Sequence, residues 1–212
     1  EKGIIKKTSL DAFNNPRQAG IIALTTDLED QLIDAKISDG QSDIFIATRE
    51  GMSIRFNEDD VRGMGRSARG VKGITVGKTD AVIGMEVIEK ASKDTILMVT
   101  EKGYGKRTEI EEYRVQSRGG VGIITQKTTD KVGNVVGTKK VSESQEVILS
   151  TDLGQVIRMK VAGISVLGRN TQGVRMMNLD DKEEKITGLA IIEDAGGEEV
   201  DGGGDDTTPA VH

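Results

Sequence analysis

Cysteine and tryptophan are absent from this 212-residue chain, and histidine occurs once, as the last residue, His212. Without cysteine there is no disulfide framework and no thiolate metal site, which favours a reducing compartment. A single terminal histidine excludes a histidine-based catalytic triad or metal centre. No apolar run approaches the ~20 residues needed to cross a bilayer. We therefore expect a cytoplasmic protein with no membrane partner.

The sequence contains no credible arrangement of catalytic residues. Its glycine-rich stretches lack the Gly-x4-Gly-Lys-Ser/Thr order of a nucleotide-binding loop. The adjacent carboxylates at Asp59-Asp60, Glu111-Glu112 and Asp180-Asp181 are expected in solvated turns. We predict that this chain carries no active site and binds no cofactor or metal of its own.

The acidic residues are unevenly distributed along the chain. The formal net charge is −6, with 35 acidic and 29 basic residues, but seven of the acidic residues follow position 192, where there is no lysine or arginine. Residues 1–192 therefore carry 28 acidic and 29 basic residues and are close to neutral. The segment 193–212 has too few apolar residues to offset its ordering entropy. We predict a folded region over 1–192 and a disordered acidic tail over 193–212.

Glycine is abundant, with 27 copies, and it marks a fourfold repeat. A short apolar run that ends in threonine precedes a first glycine in three copies, at Ile44–Thr48, Ile96–Thr100 and Val147–Thr151. The first glycines are Gly3, Gly51, Gly103 and Gly154, and the second glycines are read as Gly20, Gly70, Gly120 and Gly173. A further strand-like run closes each copy, at Leu32–Ile37, Val82–Val87, Val135–Val141 and Ile186–Ile192.

The repeat predicts an all-β, propeller-like array with a period of about 50 residues. Short runs rich in isoleucine and valine between glycine, aspartate or serine are typical of strands, and each unit has room for about four. One four-stranded unit buries little apolar surface by itself, so neighbouring units are expected to stack. The first copy lacks its leading strand, and we therefore expect further repeats upstream in a longer parent protein.

Basic residues recur with the same period. One cation lies four residues after each first glycine, and others lie beside the second glycines. Equivalent positions on stacked units fall on one side of the array, so these cations are expected to form a stripe that binds a polyanion backbone. The candidate polyanion-binding residues are Lys6, Lys7, Arg17, Arg55, Arg66, Arg69, Lys72, Lys106, Arg107, Arg114, Arg118, Arg158, Arg169 and Arg175.

Three strings in the repeats resemble those of the C-terminal domain of the bacterial DNA gyrase A protein. They are Gly103-Tyr-Gly-Lys-Arg-Thr108 with Glu112-Tyr-Arg-Val-Gln-Ser-Arg-Gly-Gly120, Val61-Arg-Gly-Met-Gly-Arg-Ser-Ala-Arg-Gly-Val-Lys-Gly73, and Ile164-Ser-Val-Leu-Gly-Arg-Asn-Thr-Gln-Gly-Val-Arg175. The resemblance covers residues 1–192. It implies a β-pinwheel, in which propeller-like blades exchange hairpins and wrap duplex DNA on a basic rim.

The resemblance also implies the setting in which such a domain works. The parent enzyme is an ATP-dependent type II topoisomerase of two A and two B subunits, which introduces negative supercoils and uses ATP and magnesium in its other parts. The nearest match to the family's basic box is Gln116-Ser-Arg-Gly-Gly-Val-Gly122, where Ser117 and Val121 replace cations. We therefore expect the last blades of a six-bladed domain, located in the cytoplasm with the nucleoid, and a true box upstream.

Two alternatives remain open from the sequence. The equivalent domain of topoisomerase IV resembles the gyrase domain and would position DNA for decatenation. A protein-interaction propeller without a DNA role is compatible with the near-neutral charge of residues 1–192. The regular spacing of the cations favours a DNA-binding domain.

Overall fold

The computed structural model describes residues 1–193 as a series of short strands and single-turn 3-10 helices. No helix in that range is long and apolar enough to span a membrane. The strands are β1 (Ile4–Ile5), β2 (Asp43–Thr48), β3 (Met52–Asn57), β4 (Val71–Lys72), β5 (Val82–Ile88), β6 (Thr95–Thr100), β7 (Tyr104–Glu109), β8 (Ile123–Ile124), β9 (Val135–Val141), β10 (Glu146–Thr151), β11 (Val156–Lys160), β12 (Val174–Arg175) and β13 (Ile186–Ile192). The 3-10 helices are Leu10–Phe13, Glu58–Asp60, Ile110–Glu112 and Val161–Gly163.

Each complete repeat contributes an antiparallel hairpin, a 3-10 helix, a two-residue strand and a long strand. Repeat 2 holds β2 to β5, repeat 3 holds β6 to β9, and repeat 4 holds β10 to β13, while repeat 1 contributes β1. Two sheets have four strands, in the orders β5-β2-β3-β8 and β12-β7-β6-β9. The predicted all-β array of four-stranded sheets is therefore confirmed.

The short strand of each repeat belongs to the sheet of the repeat before it. Strand β4 pairs with β1, β8 pairs with β3, and β12 pairs with β7, always antiparallel. The four-stranded sheets are therefore completed by exchange between neighbouring repeats. The sheet of repeat 4 has three strands, β11-β10-β13, within the described residues.

The hydrophobic core lies between successive sheets, which explains the uninterrupted apolar runs. In β2, Ile44 and Ile46 pack on the side of repeat 1, whereas Phe45 and Ala47 pack on the side of repeat 3. All six residues of β2 are buried, because both faces of the strand are covered. Tyr113 packs with Phe45 and Ala47 on the side of repeat 3, and its ring meets that of Phe45 edge to face, with ring centroids 4.9 Å apart.

Positive-φ glycines allow the repeats to approach closely at the exchanged strands. At Gly51, which has φ +85°, a Cβ would lie under 3.0 Å from the carbonyl oxygen of Gln126, a distance that real Cβ atoms do not reach. The Gly51 carbonyl accepts hydrogen bonds from the N–H groups of Thr125 and Gln126, at 2.9 and 3.2 Å. Glycine is therefore required here both for its backbone conformation and for its lack of a side chain.

The structure corrects two details of the predicted repeat. The second glycine of repeat 3 is Gly122 rather than Gly120, because Gly122 has φ +79° and lies against the backbone of Ser53, whereas a Cβ on Gly120 would meet nothing closer than 3.7 Å. The segment Leu32–Ile37 is not a strand. In the other repeats the long strand pairs with the first strand of the hairpin, as β5 does with β2, and the described residues of repeat 1 contain no such first strand. The predicted acidic tail lies almost entirely outside the described residues.

Candidate nucleic-acid interface

The exchanged strands β4, β8 and β12 form one edge of successive sheets, together with the loops that lead into them. We call residues 62–72, 114–124 and 165–175 the edge surface. Arg118 links two of these segments, because its guanidinium donates to the carbonyl oxygens of Asp60 and Lys72, at 2.7 and 3.0 Å. Consecutive segments of the edge surface are therefore neighbours along the array.

The edge surface is strongly basic although the folded region as a whole is close to neutral. Its three segments contain no aspartate or glutamate. Their cations are Arg62, Arg66, Arg69, Lys72, Arg114, Arg118, Arg169 and Arg175. A concentration of one sign of charge on one edge is the electrostatic footprint of a polyanion site.

Arg62 is the member of this set that the sequence reasoning missed. It occupies the same repeat position as Arg114, since Gly63 and Val115 form equivalent parallel bridges to Lys7 and Arg55. The signal was present in the sequence, because both repeats place arginines four residues apart at these positions. Like Arg114, the Arg62 side chain is exposed.

Four exposed cations at or near the edge surface make no side-chain hydrogen bond or ion pair within residues 1–193. Arg62, Lys72 and Arg114 lie on the edge surface, and Arg17 lies in the corresponding part of repeat 1. Three other predicted cations are exposed but have partners: Arg69 pairs with Asp27, Arg158 pairs with Glu146, and Arg175 donates to the Tyr104 hydroxyl at 2.7 Å. The unpaired cations can approach a phosphate without first losing an internal contact.

One arginine per junction joins neighbouring repeats. Its guanidinium donates to a backbone carbonyl oxygen of the preceding repeat, and the accepting residue occupies an equivalent repeat position each time. The pairs are Arg66–Ile22, Arg118–Lys72 and Arg169–Ile124, at 3.4, 3.0 and 2.9 Å. These arginines are half-buried rather than fully solvated. Their recurrence therefore has a structural cause in addition to any role in binding.

In repeats 1 to 3, the cation four residues after the first glycine points into the next repeat instead of forming an open stripe, whereas the equivalent Arg158 of repeat 4 is exposed. Lys7 donates to the Glu58 carbonyl at 2.9 Å, where a 3-10 helix begins. Arg55 donates to the carbonyls of Ile110 and Tyr113, at 3.0 and 3.2 Å. In repeat 3, Arg107 is only 3% exposed. The expectation of a solvent-facing stripe at these positions is thus corrected.

Lys6 and Lys106 are also committed to contacts inside the protein. The Lys106 side chain is fully buried, and its Nζ donates to the carbonyls of Gly168 and Arg169 and to the Thr171 hydroxyl. Burial lowers the pKa of Lys106 from 10.5 to about 8. Lys6 donates to the carbonyls of Ala23 and Arg66, and its pKa is lowered by desolvation and by the nearby Arg66 charge. Both lysines hold loop carbonyls in place.

Comparison with known proteins gives the family. Residues 1–39, 42–89, 94–142 and 145–193 each match the model of the DNA gyrase C-terminal domain, described as a beta-propeller. The chain belongs to this family. The chain is 48% identical over 183 residues to the DNA gyrase A protein of Haloquadratum walsbyi. It is 41% identical over 201 residues to that of Staphylococcus aureus strain MRSA252.

The matched region is a small part of those relatives. It covers 86% and 95% of this chain but only 21% and 23% of the two gyrase A proteins. A solved structure of a DNA gyrase A C-terminal domain superposes with a TM-score of 0.78 at 25% identity, over 89% of this chain and 62% of that one. The C-terminal domain of DNA topoisomerase IV superposes with a TM-score of 0.84 at 22% identity, over 91% and 59%. With its strands exchanged between neighbouring repeats and these two superpositions, this chain has the β-pinwheel fold that the sequence predicts.

Proposed function

We propose that the edge surface binds and bends duplex DNA, in the manner of a DNA-wrapping module of a gyrase A protein. The observation that carries this proposal is the charge of the edge surface: eight cations and no carboxylate in three neighbouring segments. The exchanged strands repeat from one sheet to the next, so a DNA backbone that follows the array meets a similar set of donors at each repeat. Bending 20–30 bp by 40–90° costs on the order of 1–6 kcal/mol, so several contacts must act together.

The proposal includes a place in a larger enzyme. Since the relatives are gyrase A proteins, we propose that the module supports ATP-dependent negative supercoiling by a complex with gyrase B in the cytoplasm. ATP and magnesium would act in other parts of that complex. Identities of 41–48% to gyrase A proteins support this assignment over topoisomerase IV, for which the similarity is one of fold. A protein-interaction propeller is the alternative outcome of the binding test.

The decisive experiment compares the salt dependence of DNA binding between matched variants. Fluorescence anisotropy with a ~40 bp duplex gives the slope of log K against log salt, which is about −0.9 per phosphate contact. If all eight cations engage, the slope approaches about −7. The double variant Arg62→Gln/Arg114→Gln removes two exposed, unpaired cations and should reduce the slope by about 2.

The control is the double variant Lys90→Gln/Lys93→Gln, which changes the net charge equally. Lys90 and Lys93 lie between β5 and β6, outside the edge surface. We expect the control to keep the slope of the unmodified chain. An equal loss of slope in both variants would show that only net charge matters, and the absence of any binding at low salt would favour the protein-interaction alternative.

A further inference from the structure

A buried lysine fixes the orientation of the loop 168–171, which belongs to the edge surface. The Nζ of Lys106 donates to the carbonyl oxygens of Gly168 and Arg169, so both carbonyls point into the protein. In a trans peptide the C=O and the N–H point in opposite directions. The N–H groups of Arg169 and Asn170 therefore point outward. Successive backbone N–H groups that face the same side form an anion-binding concavity.

A carboxylate of the preceding repeat occupies this position. The Oε2 atom of Glu112 accepts a hydrogen bond from the Arg169 N–H at 3.1 Å and lies 3.9 Å from Arg169 Nε. That Nε is itself buried and has no hydrogen-bond partner within residues 1–193. The Glu112 side chain is 46% exposed, so it can swing into solvent without disturbing the core. The loop thus already holds one anionic group, beside a donor that this group leaves unsatisfied.

The charges around the loop also favour an anion. Burial lowers the pKa of Lys106, and the Glu112 charge opposes this shift while the Arg169 charge adds to it. One carboxylate therefore faces two cations. A phosphodiester carries the same single charge as a carboxylate and has oxygens that accept hydrogen bonds, so it can replace Glu112 without leaving the cations uncompensated.

The junction between repeats 2 and 3 lacks this arrangement. Ile54 occupies the repeat position of Lys106, so no buried cation lies under the equivalent loop. The guanidinium of Arg118 contacts the backbone carbonyl of Asp60 at 2.7 Å, and Asp60 is the repeat equivalent of Glu112. The buried lysine and the carboxylate that reaches the loop thus occur together, at the junction between repeats 3 and 4.

We propose that the loop 168–171 is a phosphate site of the edge surface, and that the Glu112 carboxylate occupies it until a DNA phosphate displaces it. The inference rests on the proposed function, because the phosphate is that of bound duplex DNA. The outward N–H groups of Arg169 and Asn170 and the Arg169 Nε are the donors. Glu112 then acts as a built-in competitor that weakens DNA binding at this junction.

The matched variants Glu112→Gln and Glu111→Gln test the competition. Both remove one negative charge and keep the size of the side chain, but Glu111 is exposed and makes no side-chain hydrogen bond or ion pair within the described residues. Thermal unfolding confirms that both variants fold. In fluorescence anisotropy with a ~40 bp duplex, we expect Glu112→Gln to tighten binding about fivefold more than Glu111→Gln does, as the loss of a partly exposed ion pair allows. Its slope of log K against log salt should steepen by about 1.

A second readout uses inorganic phosphate as the probe and does not depend on DNA. In a titration of the isotope-labelled chain followed by NMR, the backbone amide resonances of Arg169 and Asn170 should shift in Glu112→Gln. The unmodified chain and Glu111→Gln should show the same shifts at about fivefold higher phosphate concentration, because the carboxylate competes in both.

Two results would overturn the proposal. Equal gains of DNA affinity in Glu112→Gln and Glu111→Gln would show that only net charge acts. Amides of Arg169 and Asn170 that ignore phosphate in Glu112→Gln would show that the loop binds no anion. If these amides respond to phosphate but no variant binds duplex DNA, the anion site stands and the proposed DNA-binding function is refuted, so the two failures are distinguishable.

Discussion

The two arginines Arg107 and Arg158 occupy the same repeat position in different surroundings, and replacing each by alanine separates structural from surface roles. The Arg107 guanidinium donates to the Ile164 carbonyl at 2.9 Å and to Glu143 at 3.3 Å, and the residue is 3% exposed. The side chain of Arg158 is 61% exposed, and its one ion-pair partner within residues 1–193 is Glu146. A larger loss of stability in Arg107→Ala than in Arg158→Ala therefore measures the contribution of the contact between Arg107 and repeat 4.

The magnitude follows from the contacts that are lost. A hydrogen bond from a charged donor contributes about 1.5–3 kcal/mol, and the buried Ile164 carbonyl would be left without this donor in Arg107→Ala. The buried methylene stem adds to the loss, while the desolvation cost of the guanidinium is relieved. We expect Arg107→Ala to lower the free energy of unfolding by about 2–3 kcal/mol. For Arg158→Ala a surface ion pair predicts less than about 1 kcal/mol.

Urea unfolding followed by circular dichroism measures both values, and anisotropy with duplex DNA gives the second readout. Equal losses of stability would refute the structural role of Arg107. If Arg107→Ala kept its stability but reduced the salt slope of DNA binding by about 1, the cation would act directly on a phosphate instead.

Further variants test the junctions, the buried charge and the core. Gly122→Ala should destabilise the fold by more than about 2 kcal/mol in thermal unfolding, because its Cβ would overlap the Ser53 carbonyl, and Gly120→Ala should cost far less; similar losses would contradict the revised repeat alignment. Because the pKa of Lys106 is about 8 in the fold and 10.5 in the unfolded chain, unfolding takes up a proton between these values and stability rises with pH across that interval. Lys106→Met should remove this rise, which amounts to about 3 kcal/mol, and an unchanged pH profile in urea unfolding would contradict the buried charge. Tyr113→Phe removes a buried hydrogen bond of 2.7 Å to the Thr125 hydroxyl and should cost about 1–2 kcal/mol in the same assay, whereas a neutral result would mean that water replaces it.

The repeat period and the strands could be predicted because they are properties of local sequence. Apolar runs such as 44–48 predict a strand from local sequence, and a spacing repeated at about 50 residues predicts stacking. The segment Leu32–Ile37 shows the limit of this local prediction, because it forms no strand without a pairing partner. The pairing partner of a two-residue strand is a tertiary property, however, and nothing within Val71-Lys72 or Ile123-Ile124 indicates which sheet it joins. That partner could be inferred only from the resemblance to a family in which blades exchange hairpins.

The same limit explains the outcome for the cations. A regular offset identifies a position in the repeat but not the direction of its side chain. Arg55 and Arg107 recur because each meets the start or end of the next 3-10 helix, which is a reason internal to the fold. Arg62 shows the opposite case, since it was overlooked although it is exposed and carries no internal partner within residues 1–193.

The exchange of short strands has a mechanical consequence for any ligand held on the edge surface. Strand β8 is joined covalently to repeat 3 and by hydrogen bonds to the sheet of repeat 2. A force applied at Ile124 or its neighbours is therefore carried by two sheets. It passes to repeat 3 along the peptide backbone, and to repeat 2 as shear across the hydrogen bonds between β8 and β3. The elastic recoil of a stiff polymer curved around this edge would be distributed over adjacent blades, so that no single blade resists it alone.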